Sequence, residues 1–141
     1  MLALPEHLHP MVVHFPIALF TMALILEVIS LVFKKTQWHQ TAVHMYVLAA
    51  LFTPFAILSG IWETEKIHLH HPLLEQHHFY AHMTMGLALA TLPVLYLVQA
   101  KCAKYFRIIF LVMCLSVVGL IAMTADKGGD MVYEYGVGVE K

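Results

Sequence analysis

Apolar residues dominate four long stretches of this chain, and polar residues collect between them. The stretches run from 12 to 33, 41 to 62, 79 to 98 and 106 to 124, with an earlier start at Glu75 open for the third. Each holds about the 20 mostly apolar residues that a helix needs to cross a hydrocarbon layer of about 30 Å. Four transmembrane helices are predicted. The links 34–40 and 99–105 are short, and short links force neighbouring helices to run antiparallel. The expected fold is therefore all-α: an integral membrane, up-down-up-down four-helix bundle, one domain over 1–141. The middle link, 63–78, is longer and rich in histidine.

A polar tail, 126–141, follows the last stretch. Its paired Gly128 and Gly129 predict the end of the fourth helix. The apolar and polar alternation after them predicts an extended segment. Tyr133 and Tyr135 suit a membrane interface, where the tail would cap the outer mouth of the bundle. Pro16, Pro54 and Pro93 fall inside predicted helices, where each removes a backbone donor and bends its helix.

Composition agrees with a membrane assignment. Of 141 residues, 60% are hydrophobic and 12% charged, against about 25% charged in soluble domains. Eight basic and nine acidic residues, net −1, form no basic stripe, so nucleic acid is not an expected partner. Cys102 and Cys114, on one predicted helix, would be about 18 Å apart, too far for a disulfide. No C-x-x-C-H occurs, which excludes covalent c-type haem. The opening residues have no basic region or small-residue cleavage site, so no cleaved leader is expected.

The basic residues orient the bundle. Lys34, Lys35, Lys101 and Lys104, with Arg107 just beyond, lie on one side without an acid; Lys66, Lys127 and Lys141 lie among eight acids on the other. The positive-inside rule makes the lysine links cytoplasmic. Both termini and the middle link then face outward, into the periplasm if the chain sits in a bacterial inner membrane.

Nine of the eleven histidines fall on that outer side: His7, His9, His14, His68, His70, His71, His77, His78 and His82. His14 and His82 are expected a turn or more inside the bilayer, where a polar side chain is costly and needs a partner. A weak internal repeat relates them. His9-Pro-Met-Val-Val-His14-Phe-Pro-Ile-Ala18-Leu19 overlays His77-His-Phe-Tyr-Ala-His82-Met-Thr-Met-Gly86-Leu87. A two-helix duplication of this kind has a pseudo-two-fold axis along the membrane normal, which puts His14 and His82 at matching depth on different helices.

Two imidazoles at one depth on facing helices suit the axial ligands of a b-type haem. Ala18 and Gly86, one turn from each histidine, would leave room for a flat macrocycle, with Thr21 and Met85 lining it. A second reading is copper or another transition metal. His78 and His82 are four apart on a helix face, with His9 and His77 near them, and the thioethers of Met83 and Met85 suit Cu(I). A third reading is structural: small residues that let helices pack closely, and histidines that bond between helices. Deeper in, Glu27 and His44 fall at similar depth near the lysine side. Their contact could carry a proton or bind a quinone headgroup; the alternative is a Glu27 that reaches to the interface.

At this point the residues resemble a family. The opening His9-Pro-Met-Val-Val-His14-Phe-Pro-Ile, the end Ser59-Gly60-Ile-Trp62 of the second stretch, His82, and the tail Gly128-Gly129-Asp-Met-Val-Tyr133-Glu-Tyr-Gly136-Val-Gly138-Val resemble the bacterial membrane proteins grouped as domain of unknown function 2231. The resemblance covers nearly the whole chain. It implies a four-span membrane domain in which the histidine opening and the glycine-tyrosine tail are functional parts, and it carries no assigned activity. An acid soon after the second-helix glycine is expected from it; here Trp62 intervenes and Glu63 takes that place.

Three classes of function follow. One is a b-type cytochrome-like protein passing electrons between quinone and a periplasmic carrier. The second is a histidine- and methionine-based metal-binding protein. The third is a non-catalytic subunit anchoring other membrane subunits. An electron-transfer or binding role is expected ahead of a stand-alone enzyme, because no nucleophile or paired-carboxylate arrangement supports hydrolysis.

Overall fold

The computed structural model describes residues 8–67, 71–101 and 103–136. They form four helices, α1 (Leu8–Phe33), α2 (Thr36–Ile67), α3 (Pro72–Lys101) and α4 (Ala103–Tyr133), and no strand occurs among them. His7, His68, His70, Cys102 and the tail from Val137 lie outside the described residues.

Each helix is longer than the apolar stretch inside it. Lengths of 26, 32, 30 and 31 residues correspond to roughly 39–48 Å at 1.5 Å per residue. Hydropathy marks only the part that sits in hydrocarbon. The polar residues on either side continue the helix because nothing there breaks it, so α2 begins at Thr36 rather than 41 and runs to Ile67 rather than 62. All four are long and apolar enough to cross a membrane.

The expected stop at Gly128 and Gly129 does not occur. α4 passes through both and ends at Tyr133, so the extended segment predicted after the glycines is helix as far as Tyr133. A glycine weakens a helix without ending it unless it turns left-handed. Gly136 is the residue that does so, with φ 65°, and its N–H bonds the Val132 carbonyl at 3.1 Å.

α1 and α2 meet in a turn of two lysines. Lys34 has φ 54°, and the Lys35 N–H returns to the Ser30 carbonyl at 3.2 Å. This is the six-to-one bond of a Schellman stop, with lysine in the place glycine usually takes. The tight turn folds α1 onto α2, and α3 packs on α4 in the same manner. The two hairpins meet along α1–α4 and, more lightly, α2–α3, which leaves α1 and α3 diagonal.

The centre of the bundle is aromatic and alanine. The Tyr46 ring lies 5.1 Å from Phe20 and 5.5 Å from Phe110, edge-on to both. Ala23, Ala42, Ala49, Ala50 and Ala88 are fully buried around them, because small side chains let helices approach where lipid supplies no hydrophobic drive. The outside is apolar too: Val32, Phe55, Leu58 and Ile108 are each more than 60% exposed. In water such a surface would aggregate; facing acyl chains it costs nothing.

Candidate functional site

One cavity of about 710 Å³ occupies the end of the bundle away from the lysine turn. All four helices contribute to it, and its walls are mostly apolar. His9, His14, His77, His78 and His82 all line it. Tyr133, although 90% exposed, borders it, and the Tyr135 ring packs 4.5 Å from His71.

Across the diagonal, α1 and α3 meet through His9 and His77. Their rings are half-buried, 6.3 Å apart between centroids and nearly perpendicular at 83°. Each ring is held from behind. The Ser59 hydroxyl donates to the Ala56 carbonyl at 2.8 Å and so accepts from His9 Nδ1 at 2.9 Å. His77 Nδ1 donates to the Thr124 carbonyl at 2.9 Å. A neutral imidazole that donates from Nδ1 keeps a lone pair on Nε2. The ring lies where a neighbouring helix has no side chain: a Cβ on Gly60 would stand 2.9 Å from the His9 ring, and one on Gly128 3.4 Å from His77. Glu63 completes the arrangement by accepting the His9 backbone N–H at 2.9 Å, one of the orphan donors at the start of α1.

These contacts come in pairs separated by one interval. His9 and His77, Ala56 and Thr124, Gly60 and Gly128 are each 68 positions apart. The same holds for His14 and His82. His14 Nδ1 bonds the Pro10 carbonyl, and His82 Nδ1 bonds the His78 carbonyl at 2.7 Å. The two hairpins therefore repeat each other in contacts as well as in sequence.

His14 and His82 are exposed along the cavity edge, and the ring contact that crosses from α1 to α3 is that of His9 with His77. Ala18 and Gly86 do not line the cavity. Both are exposed, and a Cβ on Gly86 would meet nothing within 4 Å. One turn along α1 and α3 from the histidines, the helix face has already left the cavity. Met85 lines it; Thr21 instead bonds the Ile17 carbonyl at 2.8 Å. His78 lies 6.1 Å from His77 and 6.4 Å from His82 by ring centroids. Among the described residues, no three His, Cys, Asp or Glu side chains converge as a metal cage.

At the lysine end, Glu27 is fully buried, which replaces the expected reach to the interface. Its partner is not His44, which is exposed. One oxygen takes His39 Nδ1 at 2.5 Å, and the other takes Arg107 Nε at 3.4 Å. Arg107 also donates to Ser30 Oγ at 2.5 Å, and Ser30 in turn donates to the Lys35 carbonyl at 2.8 Å. Because α2 starts at Thr36, His39 is in its first turn, facing the bundle. His44, five residues on, is about 140° round the helix. His39 and Arg107 are again 68 positions apart, whereas the counterpart of Glu27 is Leu95.

The fold and this cavity define a multi-pass, four-helix membrane protein with a histidine-lined chamber at one end. The chain belongs to the predicted membrane protein family DUF2231, whose pattern matches residues 5–141. No curated protein and no solved structure matches it.

Ser59, Thr124, His39, Arg107 and Ser30 carry roles that local sequence patterns do not announce. The signal that could have found most of them is the interval of 68. Continued past Leu87, it aligns Gly60 with Gly128, Ala56 with Thr124 and His39 with Arg107.

Proposed function

We propose that this protein is a cytochrome-like membrane subunit whose histidine-lined cavity takes a b-type haem, with His9 and His77 as the residues that would hold it. The observation that carries the reading is the meeting of these two rings. Metal–imidazole bonds are about 2.0–2.1 Å, and a ring centre lies roughly 1 Å behind its nitrogen, so two imidazoles that would share one ion have centroids no more than about 6.5 Å apart. The separation here is 6.3 Å.

His9 and His77 are favoured over His14 and His82 because they face each other across the bundle. The Nδ1 bonds to Ser59 and Thr124 set the tautomer that leaves Nε2 to ligate, the usual outer-sphere support of a ligand histidine. Gly60 and Gly128 give the rings space, and the walls of the cavity are mostly apolar. Haem, when bound, supplies a one-electron iron couple. With the lysine turn on the cytoplasmic side of a bacterial inner membrane, the cavity opens toward the periplasm, and the electron partners are a membrane quinone and a periplasmic carrier.

A transition metal such as copper on the same pair is the second reading, favoured by His78 standing 6.1 Å from His77.

The test is the absorbance spectrum of protein expressed with ample haem and purified in mild detergent, oxidised and then reduced with dithionite. A Soret band lost in His9→Ala and His77→Ala, and kept in His44→Ala, is expected. A featureless spectrum with stoichiometric copper by elemental analysis transfers the site to the second reading. A featureless spectrum without metal ends both.

A further inference from the structure

We infer that His14 and His82 form a binding site for a lipid-soluble hydroquinone, accepting hydrogen bonds from its hydroxyl groups. The inference deepens the cytochrome reading by naming the residues that would take its membrane substrate, and it rests on that reading only for the fate of the electrons.

Both histidines lie within membrane spans, with exposed rings on the wall of the cavity. Each is locked in one tautomer by the same bond, from Nδ1 to the carbonyl one turn back. A carbonyl can only accept, so the hydrogen is on Nδ1, and in the neutral ring the Nε2 lone pair is an acceptor. No donor to either Nε2 is found among the described residues. Within a membrane span a polar atom left unpaired is costly. That the arrangement occurs twice, at positions 68 apart, makes it a feature of the repeat rather than an accident of one helix.

The ligand must then have four properties. It reaches the site from the lipid phase. It has an apolar body, to match walls such as Val13, Ile17, Ile57 and Ile61. It donates hydrogen bonds. It carries two donors, because the two acceptors stand on diagonal helices around one cavity. A sterol or a fatty acid brings one. A hydroquinone brings two, at opposite ends of a flat ring, and its oxidised form brings none. The site therefore recognises the reduced form.

The experiment measures equilibrium binding of a short-chain benzoquinol, kept reduced without oxygen, and of the matching quinone to the full-length protein in lipid nanodiscs. Tighter binding of the quinol is expected, by about three- to tenfold per imidazole, the worth of one hydrogen bond. His14→Leu and His82→Leu should each weaken quinol binding by that factor and leave quinone binding unchanged. His14→Gln, which offers donor and acceptor, should narrow the preference, and its helicity and elution profile should match wild type. Equal binding of the two forms, Leu variants without effect, or equally good competition by a sterol overturns the inference. Loss of the Soret band in the Leu variants with its retention in His9→Ala also overturns it, since His14 and His82 would then be the iron ligands. Quinol preference in a protein without any Soret band leaves the inference standing and removes the cytochrome reading.

Discussion

Replacing Glu27 with leucine tests whether the buried carboxylate holds the bundle together. The side chain is fully buried, whereas its two partners are 12% (His39) and 33% (Arg107) exposed. Leucine is a fair replacement in shape, because Leu95 occupies the related position in the second hairpin and is 5% exposed. What is lost is chemical. The His39 bond, at 2.5 Å, runs to a carboxylate, and hydrogen bonds to charged groups contribute about 1.5–3 kcal/mol. The Arg107 contact is long, at 3.4 Å, and partly screened, so about 0–1 kcal/mol is reasonable. The sum, about 2–4 kcal/mol, lies lower than, and overlaps only the lower half of, the about 3–5 seen when a fully buried pair is broken. The difference is physical: Arg107 can lean toward the lysine-side surface and find water or headgroups.

The assay is reversible unfolding in mixed micelles of mild and denaturing detergent, followed by circular dichroism. Glu27→Leu should be destabilised by that amount, and Glu27→Gln, which keeps an acceptor, by less. Adding Arg107→Leu to Glu27→Leu should recover part of the loss, because the orphaned cation goes with it. A Glu27→Leu protein within about 0.5 kcal/mol of wild type, the scatter of neutral surface changes, would refute the reasoning. So would a double variant no more stable than the single.

Three further variants follow, the last two read by the same unfolding assay. Gly60→Ala should displace the His9 ring, because its Cβ would stand 2.9 Å from that ring, and should weaken the Soret band that the proposed haem site would give; Gly128→Ala meets His77 only at 3.4 Å and should gain up to about 1 kcal/mol of helix propensity. Tyr46→Phe should change stability by less than about 0.5 kcal/mol, since the buried hydroxyl has no partner at hydrogen-bond geometry among the described residues and its removal leaves none unsatisfied; a loss above about 1.5 kcal/mol would show that it is bonded to a neighbour such as Thr91.

Some of this architecture is a property of the chain read in one dimension. The length of an apolar stretch must match the thickness of the hydrocarbon layer, so four spans are legible whatever they pack against. Short links make antiparallel hairpins, and the histidines gather at one end because they cluster in the links and ends of spans that share a side. The repeat is legible too, in Ala18 and Gly86 as much as in His14 and His82, although those small residues turned out to be outside the cavity.

Which faces meet was decided only in three dimensions. In a soluble helix the apolar stripe marks the buried side. Here the lipid-facing and core-facing sides are both apolar, as Leu58 outside and Phe20 inside illustrate. The pattern therefore does not give the rotation of each helix about its axis. That rotation pairs Glu27 with His39 instead of His44, and with Arg107, 80 positions away. It also turns His9 and His77 toward each other across the diagonal, while His14 and His82 stay at the cavity edge. The sequence by itself determined four membrane helices, their hairpin pairing and the end at which the histidines lie. The tertiary structure decided which imidazoles share a space, because that depends on helix rotation, and apolar residues on every face leave rotation unwritten in the sequence.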